Sequence, residues 1–407
     1  MPDRTSRNTV IKAWAKSSAP DSAKRAEGVL QDMERSYLEG GRVDSGSAPD
    51  AVGYTTCIDA WARSGGGSES ARRAEALLDR MEGSYDRGEN ELCAPDSWAY
   101  NAAMNAWAKS GGSDAGDRCQ ALLDRMRCRY ERGGEKAAKV RPDRVSYNIA
   151  IHAHANSGRK NGPYRAERTL EAMLDDCAAG NGAARPDVVS FNGVMSAHAK
   201  SRDPTAARRA ENILKRLRSA ADEGSDGEGE GGDSSSSAVV RPDAYSYNIV
   251  ISAWANSGDP QAAPRAEAVF RRMISDRTNG DGNGDGTVNL RAKPDAKTYN
   301  ALLSAWSHRA RHDPEAPRRA ESILQRMFRL SEAGDVSCKP DSRSFGAAIN
   351  CWAKSRDPTK ALRAQALLQR MERRGRMGGD PDLSPTVHAY AGVLNACAHT
   401  SRRSARM

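Results

Sequence analysis

Residues 242–258 read PDAYSYNIVISAWANSG, and versions of this phrase return along the whole chain. Close copies begin at Pro95, Pro142 and Pro294, and weaker ones at Pro2, Pro49, Pro186, Pro340 and Pro385. A second phrase, Arg-Ala-Glu-x-x-Leu-x-x-Met or close to it, follows each of the first eight copies, as in residues 73–81. Such internal periodicity predicts an array of similar structural units in place of separate globular domains.

The repeat predicts eight full units and a partial ninth, numbered from the residue after each Pro-Asp, with unit lengths of 44 to 56 residues. The predicted full units are 4–50, 51–96, 97–143, 144–187, 188–243, 244–295, 296–341 and 342–386, and the partial unit is 387–407. Glycine-rich stretches at about 219–238 and 276–291 are predicted to be disordered inserts.

Each unit is predicted to form two helices. In the first, unit positions 4, 8 and 11 are apolar or aromatic, as in Tyr247, Ile251 and Trp254, which is helical spacing. The Asp of Pro-Asp is a good N-cap, and glycines 65, 111, 158 and 258 are placed to end the helix. The second helix is predicted to open at an Asp-Pro pair in four units and to bury a stripe such as Ala74, Leu78 and Met81.

One such hairpin cannot bury its own apolar face, whereas stacked neighbours can. The fold class predicted is therefore all-α, a right-handed α-solenoid of stacked helix-turn-helix repeats. The tryptophans that recur at position 11 share a face with position 4, so we interpret them as packing between helices. We interpret the Arg-Ala-Glu phrase as charge pairing between neighbouring units.

Composition and charge narrow the class of protein. Apolar residues make up 38% of the chain, the mean hydropathy is −0.74, and no run approaches the length of a membrane span. The eight cysteines form no CxxC pair, which argues against a disulfide scaffold. The net charge is +9, and it becomes +15 when the acidic stretch 222–233 is left out. The excess of basic residues favours an anionic partner.

A second stripe, at unit positions 2, 5, 9 and 13, lies on one face of the first helix. Position 5 is polar in seven successive units: Asn8, Thr55, Asn101, Asn148, Asn192, Asn248 and Asn300. Position 13 is a cation in five units: Lys16, Arg63, Lys109, Lys200 and Lys354. An amide can pair with the edge of a base and a cation can neutralise a phosphate, so a stacked ladder of both suits an extended single strand. The alternative is that these residues are only a solvated helix start and a solubilising charge.

The Tyr-Asn near the start of the first helix, the Lys-x-Gly at its end, and the closing Met…Pro-Asp resemble pentatricopeptide repeats, of the P type but with lengthened units. The resemblance covers nearly the whole chain. It implies that each repeat binds one nucleotide of single-stranded RNA, with the RNA 5′ end at the protein N-terminus. The extra length lies between the closing Met and the next Pro-Asp, which suggests a longer second helix followed by a loop at one edge.

The resemblance also implies roles for individual positions. Position 5 would choose the base together with the closing residue of its repeat: Asp50, Asp96, Asp143, Asp187, Asp243, Asp295 and Asp341. Position 2 would sandwich the base, and in units two to six it is Val52, Trp98, Val145, Val189 and Tyr245. The position 13 cations would contact phosphate. An N-cap role alone would also explain the aspartates, and the two roles are compatible.

By the pairing rule of that family, Asn with Asp favours U and Thr with Asp favours G. Units one to seven would then bind 5′-UGUUUUU-3′, whereas Gly346 with Thr386 in unit eight has no assignment. The function predicted is RNA processing, stabilisation or translation in mitochondria or plastids, with RNA-processing proteins as further partners. The alternative is a protein-binding α-solenoid scaffold, like tetratricopeptide proteins, without RNA readout.

Other chemistry finds no support in the sequence. There is no catalytic constellation and no metal-ligand pattern, so we expect no enzyme, cofactor, metal site, small-molecule substrate or membrane association. The chain starts directly in a repeat with Met1-Pro2-Asp3 and stops within the ninth unit. We therefore expect both ends to be truncated, and no transit peptide is visible.

Overall fold

The computed structural model describes residues 3–40, 48–133, 137–201, 203–223, 240–278, 289–377 and 383–404. Within these ranges the chain forms seventeen α-helices and no β-strand. It divides into two compact bodies, Met1–Ala197 and His198–Met407, each built from the same kind of helical hairpin.

The helices alternate between the first and the second member of a hairpin. They are α1 (Arg4–Lys16), α2 (Ser22–Glu39), α3 (Ala51–Arg63), α4 (Gly67–Asp86), α5 (Ser97–Lys109), α6 (Ala115–Glu131), α7 (Arg144–Asn156), α8 (Gly162–Ala178), α9 (Val188–Lys200), α10 (Ala206–Glu223), α11 (Ala244–Asn256), α12 (Ala262–Thr278), α13 (Ala296–Arg309), α14 (Ala316–Glu332), α15 (Ser342–Lys354), α16 (Lys360–Met377) and α17 (Val387–Ser404). In the first body α1 packs on α2 and α3, α3 on α5, and α5 on α7; in the second, α11 packs on α12 and α13, and α13 on α15. The predicted all-α repeat fold is confirmed, while the boundaries of the repeats stay a prediction.

The Pro-Asp turn starts the first helix as predicted. Asp50, Asp96 and Asp143 have extended backbone, and the side chain of each accepts a hydrogen bond from the backbone N–H of the third helical residue. The predicted helix-ending glycines Gly65, Gly111, Gly158 and Gly258 all have φ between 67° and 70°, a left-handed conformation that a side chain would strain.

The start of the second helix differs from the prediction. Asp259 and Asp313 accept hydrogen bonds from the backbone N–H groups of Gln261 and Glu315, two residues ahead. Each Asp therefore holds a tight turn, and α12 and α14 begin only after it, at Ala262 and Ala316. An Asp side chain bonds equally well to the backbone of a turn and to that of a helix start, so the sequence pattern fits both.

The predicted apolar stripes form the cores of the two bodies. Ala74, Leu78 and Met81 are fully buried, as are the tyrosines at position 4 in units three, four and six. Trp107 and Trp254 at position 11 are each 1% exposed, which confirms that this stripe packs between helices.

The Arg-Ala-Glu phrase does more than pair charges. The indole N–H groups of Trp61, Trp107 and Trp254 donate to the glutamate of the preceding unit, at 2.8 to 3.0 Å. The arginine of the phrase lies over the tryptophan of its own unit in several hairpins, as Arg319 does over Trp306, and also reaches the preceding glutamate. In these three hairpins the phrase ties one unit to the next through an indole as well as through charge, whereas Nε1 of Trp306 and Nε1 of Trp352 have no hydrogen-bond partner among the described residues.

The extra length of the units builds a short edge turn ahead of the next Pro-Asp. It is a 3-10 turn at Glu91–Cys93, Gly182–Ala184, Leu290–Ala292 and Val336–Cys338. In three of these turns the preceding asparagine donates to the proline carbonyl of the preceding Pro-Asp, at 2.7 Å for Asn90 to Pro49, 2.9 Å for Asn181 to Pro142 and 3.1 Å for Asn289 to Pro242. The turn at Val336–Cys338 follows Asp335, and there Cys338 Sγ contacts the carbonyl of Pro294 at 3.3 Å. The expected longer second helix is also present, since α10 and α12 extend through residues assigned to the predicted inserts. Residues 224–239 and 279–288 of those inserts lie outside the described ranges.

Candidate nucleic-acid interface

The residues predicted to sandwich a base are exposed apolar side chains. In the first body Val52, Trp98, Val145 and Val189 are 62%, 76%, 52% and 63% exposed, and in the second body Tyr245 is 58% exposed. Each is the second residue of its helix, one step ahead of a buried N3 residue. Exposed apolar groups that recur at the same position of successive helices are typical of a binding face.

The predicted base-reading residues lie together in pairs. The Nδ2 of an asparagine at position 5 donates to the carboxylate of the aspartate that closes the same unit. In the first body the distances to Asp Oδ1 are 3.0 Å for Asn8–Asp50, 3.2 Å for Asn101–Asp143 and 3.4 Å for Asn148–Asp187; in the second they are 3.2 Å for both Asn248–Asp295 and Asn300–Asp341. These asparagines are half-buried, so their amide groups are held in place but not enclosed.

Each aspartate of these pairs has two structural duties. Asp143 Oδ1 accepts the backbone N–H of Ser146 at 2.8 Å as the N-cap of α7, and it also accepts from Asn101 Nδ2. Asp341 does the same for Ser344 and Asn300. The N-cap role and the pairing with asparagine are therefore compatible, as the sequence suggested.

Other predicted positions differ from this arrangement. Thr55 Oγ1 is buried and has no hydrogen-bond partner in the described part of the chain, while Asp96 caps α5. Asn192 is 7% exposed in the first body, and Asp243 caps α11 in the second. In unit eight Gly346 offers no side chain, and a Cβ added there would meet nothing within 4 Å.

A concave site of about 550 Å³ in the first body brings the predicted positions together. Its walls include Trp98 and Val145 from position 2, Thr55 and Asn101 from position 5, and the closing Asp143. The lining also includes the position 9 residues Lys12, Asp59 and Asn105 and the position 13 cations Lys16 and Arg63. The stripe read from the sequence thus lines one continuous depression across the first helices of units one to four.

The position 13 cations are not equivalent. Lys16 and Lys109 are exposed, whereas Arg63 forms an ion pair with Asp59 on its own helix. Lys200 is exposed and Lys354 is half-buried. Two of the predicted cations in the first body therefore reach the surface without an ion pair among the described residues.

A second depression, of about 640 Å³, lies between α15 and α17 in the second body. Its walls include Arg343 and His388 at position 2 and the small residues Gly346, Ala347 and Gly392. It lacks the asparagine–aspartate pair of the preceding units, because unit eight closes with Thr386.

The serine at position 3 was not singled out by the sequence reasoning, although it is part of the repeated phrase. Ser146 Oγ donates to Asn101 Oδ1 at 2.7 Å, and Ser344 Oγ donates to Asn300 Oδ1 at 2.6 Å. These hydroxyls contact the carboxamides of the preceding unit, a relation between repeats that one repeat's spacing does not reveal.

Among the described residues, no group of three or more His, Cys, Asp or Glu side chains is arranged to hold a metal ion. In the same residues, no helix is both long enough and apolar enough to cross a membrane.

The chain is similar to a solved structure, but not to any protein-family model or curated protein. No protein-family model matches the chain, and no curated protein matches it. Among solved structures it is similar to the pentatricopeptide repeat protein PPR10 from maize, with 17% sequence identity and a TM-score of 0.34. The match covers 99% of this chain and 54% of the other, so this chain spans about half the length of the maize protein. The repeat fold itself rests on the helices described above.

Proposed function

We propose that this protein is a non-catalytic, sequence-selective binder of single-stranded RNA. The observation that carries the proposal is the recurrence, hairpin after hairpin, of an exposed apolar side chain beside a half-buried asparagine–aspartate pair. Asn101 with Asp143 and Val145 is one example, and it lies in the concave site of the first body. Stacking requires exposed apolar faces, and edge recognition requires fixed donors and acceptors; the two occur together here.

The chemistry of the pair favours uracil over cytosine. An amide N–H and a carboxylate oxygen lie side by side, which complements a base edge that offers a carbonyl beside an N–H. Cytosine carries an unprotonated nitrogen where uracil carries N3–H, so it would face the carboxylate without a proton to donate. Guanine also offers a carbonyl beside an N–H, so we assign U to units one and three to seven by the pairing rule of the family that the repeat phrases resemble.

Unit two has Thr55 and Asp96 at these positions, and the same pairing rule assigns G to it. The target across units one to seven is then 5′-UGUUUUU-3′. The exposed Lys16 and Lys109, and the net charge of +9, supply the cations for the phosphate backbone.

The biological consequence we propose is steric. A bound repeat array would cover a stretch of transcript, and so protect it from a nuclease, keep a hairpin open or present it to a processing enzyme. We place this activity in the RNA metabolism of an organelle, on the strength of the repeat phrases.

Reciprocal substitutions in the first body test the proposal. Asn148→Thr recreates in unit four the Thr–Asp pair of unit two, and Thr55→Asn does the reverse. Binding of RNAs that vary at one nucleotide, with double-stranded RNA and single-stranded DNA as competitors, should show the fourth preference moving from U to G and the second from G to U. Affinity that ignores base identity in every variant would refute base readout, and a failure to bind any single-stranded RNA would refute the function.

A further inference from the structure

The carboxamides at position 5 are held in two different ways. In unit three, Asn101 Nδ2 donates to Asp143 Oδ1 at 3.2 Å, and Asn101 Oδ1 accepts from Ser146 Oγ at 2.7 Å. In unit four, Asn148 Nδ2 donates to Asp187 Oδ1 at 3.4 Å, but its buried Oδ1 meets no donor in the described part of the chain. The first amide is therefore fixed at both ends and the second at one end only.

The serine that follows each pair explains the difference. Ser190 Oγ in unit five donates to Asp187 Oδ1 at 3.0 Å, within its own capping turn. Ser146 Oγ lies 2.9 Å from Asp143 Oδ1 but closer, at 2.7 Å, to Asn101 Oδ1, which accepts from no other group among the described residues. The single proton of Ser146 therefore satisfies the amide oxygen, which would otherwise be buried without a partner.

The second body repeats both arrangements. Asn300 Oδ1 accepts from Ser344 Oγ at 2.6 Å while Asn300 Nδ2 donates to Asp341. Asn248 Nδ2 donates to Asp295, but its Oδ1 has no partner among the described residues, and Thr298 bonds to Asp295 instead.

We propose that Ser146 and Ser344 are positioning residues that set how strictly units three and seven distinguish uracil from cytosine. This inference rests on the proposed function. A carboxamide fixed at both ends presents only N–H to the base, which suits the carbonyl of uracil. A carboxamide fixed at one end loses only its bond to the aspartate when it turns by half a rotation, and it then presents C=O, which suits the exocyclic amine of cytosine. Units three and seven thus distinguish the two bases more strictly than units four and six, although the carboxylate disfavours cytosine in all four.

The test measures uracil-over-cytosine discrimination at single nucleotides. Seven-nucleotide RNAs based on 5′-UGUUUUU-3′ carry C at the third or the fourth position, and their affinities are compared for the wild type, Ser146→Ala and Ser190→Ala. The wild type should discriminate more strongly at the third nucleotide. Ser146→Ala should reduce that ratio by about fivefold, the equivalent of one hydrogen bond of about 1 kcal/mol.

Ser190→Ala is the matched control. It removes the same kind of capping hydroxyl from the next helix, so both variants should lose similar stability in thermal unfolding, yet it should leave discrimination at the fourth nucleotide unchanged. Equal effects of the two alanine variants, or none from Ser146→Ala, would overturn the positioning role while leaving RNA binding intact.

Absence of RNA binding by the wild type would refute the proposed function itself. The hydrogen bond from Ser146 to Asn101 can then be tested separately, through the side-chain amide NMR signals of the unliganded protein. Ser146→Ala should speed the hydrogen exchange of the Asn101 carboxamide, and Ser190→Ala should leave that of Asn148 unchanged. Unaltered exchange at Asn101 would show that Ser146 does not hold the amide.

Discussion

Replacement of Trp98 by alanine separates binding from folding. Trp98 is 76% exposed at the second position of α5 and lines the concave site of the first body. Because little of the indole is buried, its loss should change the free energy of unfolding by no more than about 0.5 kcal/mol. The loss of one stacked base should cost about 1–3 kcal/mol, which weakens RNA binding by roughly 5- to 150-fold.

The control lies two and a half turns further along the same helix. Trp107 is 1% exposed, and its Nε1 donates to Glu75 Oε2 at 2.8 Å. Trp107→Ala should therefore cost about 3–5 kcal/mol of stability through the cavity it leaves. Its effect should appear first in the melting temperature.

Fluorescence anisotropy with labelled 5′-UGUUUUU-3′ and thermal unfolding by circular dichroism measure the two effects side by side. Trp98→Phe should keep most of the affinity because the ring can still stack. If folded Trp98→Ala binds as tightly as the wild type, position 2 does not contact bases. If Trp98→Ala lowers the melting temperature as much as Trp107→Ala does, the Trp98 side chain is packed against the protein and is not a free surface group.

Three other changes have defined outcomes. Lys16→Gln and Lys109→Gln should each weaken binding equally for all RNA sequences and lower the slope of log K against log salt by about 0.7; a sequence-dependent effect would contradict a phosphate contact. Asn90→Ala should destabilise the protein to urea by about 1–3 kcal/mol, because it removes the buried hydrogen bond from the edge turn to the carbonyl of Pro49. Leu92→Ala in the same turn should do little, because Leu92 is 41% exposed. Burial lowers the pKa of His154 from 6.5 to about 4, so the unfolded chain takes up this proton before the folded one and stability should fall by up to about 3 kcal/mol between pH 6.5 and 4. His154→Gln should flatten that dependence in urea titrations, and an unchanged pH profile would count against it.

The helical hairpins followed from the sequence because their signals are local. An aspartate N-cap, a stripe at positions 4, 8 and 11, and a terminal glycine act within one helix, and each recurs often enough to be read. The stripe at positions 2, 5 and 13 was also predictable, since residues on one helix face stay together once hairpins stack. Whether those residues contact RNA stays a prediction.

What the sequence did not reveal are contacts between repeats. The bond from Trp107 to Glu75 joins residues 32 positions apart, and that from Asn90 to Pro49 joins residues 41 apart. Both hydrogen bonds depend on how one hairpin packs against the previous one, and the sequence of a single repeat does not show this. The hydroxyl of Ser146 is the clearest case, because an N3 serine looks like an ordinary capping residue until the neighbouring amide is beside it.

The edge turn affects which insertions and deletions the chain can accept during evolution. In units two and six the turn is held by the hydrogen bond from its asparagine to the proline carbonyl of the preceding Pro-Asp. The length of chain between the second helix and the turn therefore does not change this contact. Unit two reaches its turn at Glu91 soon after α4 ends at Asp86, whereas unit six leaves α12 at Thr278 and reaches its turn at Leu290. Insertions and deletions at that junction should therefore drift freely between species, and a fluorescent tag or an effector peptide could be grafted there without altering which nucleotides are selected.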